Sequence, residues 1–131
     1  MCAARLSTVV LDARDAHELA GFYVRLLGYE VRAEEPHWVL IGPPGGAGGT
    51  ALAFETEPAY VPPVWPGRRP GEQQMMLHLD VEVDDLEAET ARAVAEGATL
   101  AGHQPQDDVR VLLDPSGHPF CLWVDTSGAA Q

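Results

Sequence analysis

The chain has 131 residues and a formal net charge of −12, from 20 acidic and 8 basic side chains. Such a length suits one domain with a core of its own. No apolar run is long enough to span a membrane. An acidic balance disfavours nucleic acids and anionic membrane surfaces, because both are bound through clustered lysine and arginine. We therefore expect neither as a partner.

Two cysteines, Cys2 and Cys121, are the only thiols of the chain. Nothing in their placement suggests a disulfide, and reduced thiols are typical of the cytosol. The N-terminal residues also lack the basic, apolar and small segments of a secretory signal. These observations predict a cytoplasmic protein.

The first half of the chain predicts a strand over 5–12, a helix over 16–27 and three further strands over 29–33, 38–41 and 50–56. Asp15 is the expected N-cap, with Glu18 placed to complete a capping box, and Gly28 is the expected stop. The apolar stripe of the helix has the spacing of one buried face and consists of Leu19, Phe22, Tyr23, Leu26 and Leu27. The glycine-rich run 42–49 predicts a hairpin connection, since a phosphate-binding loop would need a lysine and a following helix.

A segment over 57–75 contains five prolines and shows no periodicity, which predicts a long linker. Trp65 could wall a pocket, or it could pack in a subunit interface together with Tyr60. The adjacent pair Arg68 and Arg69 is expected to be solvated rather than anion-binding.

The second half repeats this order. Residues 76–86 alternate between an apolar face and a polar face, which predicts a half-buried strand whose polar face lines a cavity. The polar face carries His78, Asp80 and Glu82, and we expect the two carboxylates to be solvated or paired with Arg5 or Arg110. A helix over 85–96 follows, capped by Asp84 or Asp85, with a buried stripe of Leu86, Thr90, Ala93 and Val94. Strands are then predicted over 98–102, 109–113 and 119–124, the last two joined by a turn at Pro115 and Gly117.

The two halves form an internal repeat, with modules over about 5–56 and 76–124. Thr8 aligns with His78, and Asp15 aligns with Asp85. If a pseudo-twofold relates the modules, Thr8, Glu55, His78 and Cys121 converge in one cleft.

The motifs DARDAHELAGFYVRLLGYEV, LAFE, HLDVEVDDLEAE and DPSGHPFCLW, taken in this order, resemble the vicinal oxygen chelate superfamily. That superfamily includes glyoxalase I, extradiol dioxygenases and bleomycin-resistance proteins, and the nearest resemblance is to its glyoxalase-like domain branch. The resemblance implies an α+β fold in which two βαβββ modules form a curved mixed sheet around a cleft, with the helices outside. It also implies a homodimer, and leaves open whether the cleft lies within one chain or across two.

In metal-dependent members, the resemblance implies four ligands at the positions of Thr8, Glu55, His78 and Cys121, typically His or Gln, Glu, His and Glu. This chain departs from that set at Thr8, a poor ligand, and at Cys121, which would favour zinc. Packing alone could also explain Cys121 as a buried core thiol. No cofactor is therefore firmly expected. If a divalent metal (zinc, nickel or manganese) binds, Glu55 and His78 are the residues predicted to hold it.

Three functions are compatible with these residues, so whether the protein is an enzyme stays open. The favoured one is binding of a small apolar or aromatic molecule in the cleft between the modules, without the full metal site. The alternative is a metal-dependent lyase or isomerase of the glyoxalase type, with Glu55 and His78 as catalytic candidates. A third is a metal-free enzyme that uses either residue as a base. The predicted ligand-binding residues are Thr8, Glu55, Trp65, His78, Cys121 and Trp123.

Overall fold

A computed structural model describes residues 3–67 and 69–127. The chain forms two compact units, Met1–Tyr60 and Val61–Gln131. Each unit contains a four-stranded mixed sheet and one long helix, which confirms the predicted α+β class. No helix among the described residues combines the length and the apolar character needed to cross a membrane.

The first unit follows the predicted order of strand, helix and three strands. Its sheet has the order β1-β4-β3-β2, with β1 parallel to β4 and the other neighbours antiparallel. The glycine-rich run connects β3 to β4 as predicted and contains a short 3-10 turn at Pro44–Gly46. The elements are β1 (Thr8–Ala13), α1 (Ala16–Leu27), β2 (Glu30–Glu35), β3 (Trp38–Gly42) and β4 (Ala51–Thr56).

Helix α1 has the predicted bounds because both of its ends are capped. The Asp15 carboxylate accepts hydrogen bonds from the main-chain N–H groups of His17 and Glu18, and Gly28 ends the helix at φ 70°, where glycine is least strained. The expected reciprocal bond from the Glu18 side chain is not formed within the described residues, so the capping box is half complete.

An aromatic cluster forms the core of the first unit. Phe22 and Tyr23 of α1 meet edge to face at 4.9 Å, and Tyr23 stacks on Phe54 of β4 at 5.7 Å. All three side chains are fully buried. Aromatic pairs at these distances add to the free energy gained from burying apolar area.

The second unit has the sheet order β5-β8-β7-β6, in which β5 is parallel to β8. Because this pairing matches that of β1 with β4, the internal repeat seen in the sequence is also a repeat of topology. The elements are β5 (Leu79–Glu82), α2 (Leu86–Glu96), β6 (Thr99–Leu100), β7 (Val109–Leu113) and β8 (Pro119–Trp123).

Helix α2 is capped by Asp85, whose carboxylate accepts a hydrogen bond from the Ala88 N–H. Its buried face is much narrower than predicted. Ala93 is fully buried, but Val94 is 45% exposed, so the expectation that Val94 packs in the core is wrong. Leu86 and Thr90 are half-buried, and the Thr90 hydroxyl donates to the Leu86 carbonyl.

Several strands are shorter than predicted, because a strand persists only where it has a partner. The segment from residue 76 was expected to be extended and half-buried, but β5 begins at Leu79, and Met76 and Leu77 are 77% and 64% exposed. Leu79 pairs with Phe120, and the residue before Phe120 is Pro119, which has no N–H to prolong a ladder. Strand β1 likewise starts at Thr8, opposite the first residue of β4.

The turn between β7 and β8 is organised by Asp114, the one charged side chain buried within the described residues. Its carboxylate accepts hydrogen bonds from the main-chain N–H groups of Ser116 and His118 and contacts the His118 ring at 2.9 Å. Gly117 has φ 92°, as the predicted turn requires. This turn sets the direction in which β8 leaves, and β8 carries Cys121 and Trp123.

Candidate functional site

The polar patch of the second unit lies where β5 and β8 run side by side. Strand β5 alternates between half-buried Leu79 and Val81 and exposed Asp80 and Glu82, as predicted. On β8, Phe120 and Leu122 are fully buried, whereas Cys121 and Trp123 are half-buried. The parallel register places Asp80 beside Cys121, and paired residues of adjacent strands project from the same face of a sheet.

Three potential ligands meet at this position: His78, Asp80 and Cys121, which we call the His78 cluster. The Nε2 atom of His78 lies 3.1 Å from the Asp80 carboxylate. Ligand atoms of all three residues lie within 4.8 Å of one another. The side chains of His78 and Asp80 are 38% and 61% exposed, so this pair is in contact with solvent.

Asp80 is exposed to solvent, which was one of the two expectations for it, but its partner is His78 rather than an arginine. Arg110 is instead engaged by its own loop, where its guanidinium donates to the carbonyls of Asp107 and Val109. A histidine two residues before an aspartate is a weak sequence signal, because the contact depends on His78 lying just before the start of β5.

Cys121 is a half-buried thiol close to His78 and Asp80. The interpretation of Cys121 as a buried residue of the apolar core is therefore corrected. Burial, and then the negative charge of Asp80 and its hydrogen bond with the thiol, together raise the pKa of Cys121 to about 11. In the absence of a cation, Cys121 therefore keeps its proton at neutral pH. It is a free thiol, and Cys2 lies outside the described residues.

A cavity of about 260 Å³ opens next to the cluster, and we call it the β5–β8 cavity. Its lining consists of His78, Asp80, Gln106, Val109, Cys121 and Trp123. Sequence reasoning missed Gln106 and Val109. Val109 could have been found, because it is the first residue of the predicted strand that pairs with Trp123, whereas Gln106 lies in an irregular loop that carries no such signal.

In the first unit, Thr8 and Glu55 lie on paired strands but do not come together. Thr8 pairs with Ala51, whereas Glu55 pairs with Asp12. The two positions are thus four residues apart along the strands, about 13 Å at about 3.3 Å per residue. The register therefore does not make neighbours of Thr8 and Glu55, and their sharing of one site stays a prediction.

The same register shows which residue of the first unit corresponds to Cys121. Val10 aligns with Asp80 in the repeat, and Val10 pairs with Ala53 just as Asp80 pairs with Cys121. The counterpart of Cys121 is therefore Ala53, not Glu55. Glu55 is exposed, so its carboxylate needs no buried partner.

Trp65 lies in the proline-rich segment, apart from the β5–β8 cavity. Its ring contacts the His103 ring at a centroid distance of 5.5 Å. It lines a second cavity of about 400 Å³ whose remaining walls are Val64, Gly67, Arg69, Pro70, Glu72, Gln74 and Met75. Arg69 is exposed as expected, and Arg68 lies outside the described residues.

A comparison with protein families shows that the model of the glyoxalase-like domain matches residues 8–123. The chain belongs to the glyoxalase-like domain family. This confirms the resemblance to the vicinal oxygen chelate superfamily on which the fold was predicted. No curated protein matches the chain.

Solved structures with the same fold cover nearly the whole glyoxalase-like domain. A glyoxalase/bleomycin resistance protein/dioxygenase family enzyme from Burkholderia phytofirmans PsJN is 21% identical, with TM-score 0.67, over 92% of this chain and 98% of that chain. An antibiotic-binding protein from Streptomyces sp. CB03234 is 22% identical, with TM-score 0.62, over 95% and 98%. A bleomycin-binding protein from Streptomyces verticillus, complexed with copper(II)-bleomycin, is 17% identical, with TM-score 0.58, over 95% and 99%. At these identities, the likeness establishes the shared fold.

The residues of this domain do not fit the four-ligand metal site that the superfamily implies. The Thr8 hydroxyl is a poor donor for a divalent cation, and the register gives Ala53, which has no ligand atom, at the position expected to carry a glutamate. Of the four implied positions, only those of His78 and Cys121 carry good ligands.

Proposed function

We propose that this glyoxalase-like domain binds a small apolar or aromatic molecule in the β5–β8 cavity, without the full metal site of its superfamily. The observation that carries the proposal is the composition of that cavity. Trp123 and Val109 supply apolar walls, while His78, Asp80 and Gln106 supply polar groups beside them. Apolar walls that include an aromatic ring, with convergent polar groups beside them, are typical of small-molecule sites.

The size and charge of the cavity narrow the class of ligand. A volume of about 260 Å³ is just below the range of about 300–1,000 Å³ that is usual for ligand pockets. A compact ligand, or one aromatic ring system of a larger ligand, therefore fits best. The net charge of −12 favours a neutral or cationic molecule over an anionic one.

The comparisons give independent support. Two proteins of similar fold are, by their descriptions, an antibiotic-binding protein and a bleomycin-binding protein. Binding of an antibiotic is thus one use of this fold, although a shared fold alone does not transfer a ligand.

The lyase or isomerase alternative gains no support. It relied on Glu55 and His78 acting together, with Glu55 as one of four metal ligands. Glu55 is out of register with that role, and no other carboxylate of the first unit takes the position of Ala53.

A tryptophan reporter tests the proposal. Trp38→Phe combined with Trp65→Phe leaves Trp123 as the only one of three tryptophans. Metal-free bleomycin and a panel of small neutral and cationic aromatic compounds are titrated in the presence of EDTA. We expect saturable quenching of Trp123 fluorescence by at least one of them.

Thermal unfolding supplies the matched control. A ligand at 100 times its Kd stabilises the wild-type protein by about 2.7 kcal/mol. Trp123→Ala should abolish this stabilisation, whereas Trp65→Ala should retain it. If no compound changes the fluorescence of Trp123 or the Tm of the wild type, the proposal is wrong.

Two further proposals concern the setting of the domain. We infer a homodimer, supported by the exposed apolar side chains of Val10 in the edge strand β1 and of Leu6 just before it, and sedimentation velocity tests it. We also infer a cytoplasmic location, supported by the free thiol of Cys121, since reduced thiols are typical of the cytosol, and fractionation of expressing cells tests it.

A further inference from the structure

We propose that His78, Asp80 and Cys121 form a zinc site built entirely within the second unit, in place of the four-ligand site of the superfamily. The three residues offer an imidazole nitrogen, a carboxylate oxygen and a sulfur. Their ligand atoms already lie within 4.8 Å of one another. In tetrahedral zinc sites, with bonds of about 2.0–2.3 Å, ligand atoms lie about 3.3–3.8 Å apart, so small side-chain rotations close the site.

The strands hold two of these ligands in place. Asp80 and Cys121 are register partners in the parallel β5–β8 ladder, and Cys121 lies between the fully buried side chains Phe120 and Leu122. His78 precedes β5 directly and already contacts Asp80 at 3.1 Å. A site on paired strands is more rigid than one assembled from loops.

The chemistry of the three donors selects the cation. Thiolate and imidazole ligands favour zinc over magnesium, calcium or manganese. On binding, the sulfur of Cys121 forms a bond to zinc and releases its proton to solvent. Binding of one zinc ion therefore releases one proton from Cys121. Three protein ligands leave the fourth position of the tetrahedron open, as in catalytic rather than structural zinc sites.

This site differs from the implied one in the residues it needs. The superfamily set would draw on Thr8 and Glu55, which are about 13 Å apart along their strands. The His78 cluster needs neither. It uses Asp80, a position that the superfamily set does not include.

Cobalt provides a readout specific for the thiolate. The protein carries Cys2→Ser, which leaves Cys121 as the only thiol, and is freed of metal with a chelator. Titration with Co²⁺ should give a sulfur-to-cobalt charge-transfer band that saturates at one equivalent per chain. Titration with Zn²⁺ should abolish the band by displacement. Cys121→Ser should remove the band while the circular dichroism spectrum is unchanged.

Ligand variants then decide between the two metal sites. His78→Ala and Asp80→Asn should each weaken zinc binding by at least about tenfold. Glu82→Gln, the neighbouring exposed carboxylate on the same face of β5, should leave the affinity unchanged. The proposal is overturned if Thr8→Val or Glu55→Gln weakens binding as much as His78→Ala, or if no cobalt band forms in the folded protein. The titration with aromatic ligands described above is made in EDTA and does not depend on zinc. A failure to bind cobalt or zinc would therefore not contradict the proposed binding of an aromatic molecule.

Discussion

The two units of the domain share one topology but differ in the side chains that their helices pack against the sheet. In the first unit, α1 buries Phe22 and Tyr23 against Phe54 of the sheet. In the second unit, the positions of α2 that correspond to these aromatic residues are Arg92 and Ala93. Arg92 is exposed and pairs with Glu89 on the helix surface.

This difference shows how a duplicated fold can divide its tasks. The first unit buries three aromatic side chains in a core. Opposite Val10 it has Ala53, which carries no functional group. The second unit has a thinner helix interface and has Cys121 opposite Asp80. We infer that stability depends mainly on the first unit and that binding chemistry belongs to the second.

The largest expected effect tests the division of stability. Phe22→Ala should lower the free energy of unfolding by about 3–5 kcal/mol, because a fully buried aromatic ring leaves a cavity when it is removed. Its matched control is Arg92→Ala at the equivalent position of α2, where the cost should be about 0.5 kcal/mol or less. Urea unfolding measures both. Equal losses of unfolding free energy in the two variants would contradict the inference that stability depends mainly on the first unit.

The second prediction concerns the chemistry of the second unit. In metal-free Cys2→Ser protein at pH 8, iodoacetamide should alkylate Cys121 at least about tenfold more slowly in the native than in the urea-unfolded state. The reason is that burial and then Asp80 raise the pKa of the folded thiol from 9.0 to about 11. Asp80→Asn should lower this pKa and speed the reaction, as followed by mass spectrometry.

The sign of the accompanying pH effect is fixed by the same shift. The folded thiol holds its proton to higher pH than the unfolded thiol, so this contribution to stability is present below pH 9 and is lost as the pH rises toward about 11. Equal alkylation rates in the native and unfolded states would show that Cys121 is not held in the environment described.

The smallest effects are expected at the N-caps of the two helices. Asp15→Ala removes two hydrogen bonds at the start of α1 and should cost about 1–2 kcal/mol, whereas Asp85→Ala removes one at α2 and should cost about 0.5–1 kcal/mol. Urea unfolding with unchanged m-values measures both losses. A larger loss at Asp85 than at Asp15 would contradict the view that α2 contributes less to stability.

Local signals explain which parts of the fold could be predicted from the sequence. Asp15, Gly28 and Asp85 act on their own helix ends, so the bounds of α1 and α2 followed from nearby residues. The start of β5 at Leu79 depends on its partner Phe120, about forty residues away along the chain, and alternation alone extended the strand too far.

The site shows the same limit more sharply. The LAFE motif suggested Glu55 as a ligand because glutamate is the expected residue type, but strand register decides which side chains are neighbours. A shift of two residues keeps a side chain on the same face and moves it by about 7 Å. Alternation could not distinguish Ala53 from Glu55, and it gave no indication that Asp80 would contact both His78 and Cys121.

Strand β2 has a consequence for how copies of this domain can associate. It forms one edge of the first sheet, all six of its residues are exposed, and its sequence EVRAEE contains three glutamates and an arginine. A register shift between Val31 and Ala33 also interrupts its ladder. Charged side chains and bulges at an edge discourage the addition of a further strand. Any intermolecular sheet extension, including the templated growth of fibrils, is therefore disfavoured at this edge of the first sheet.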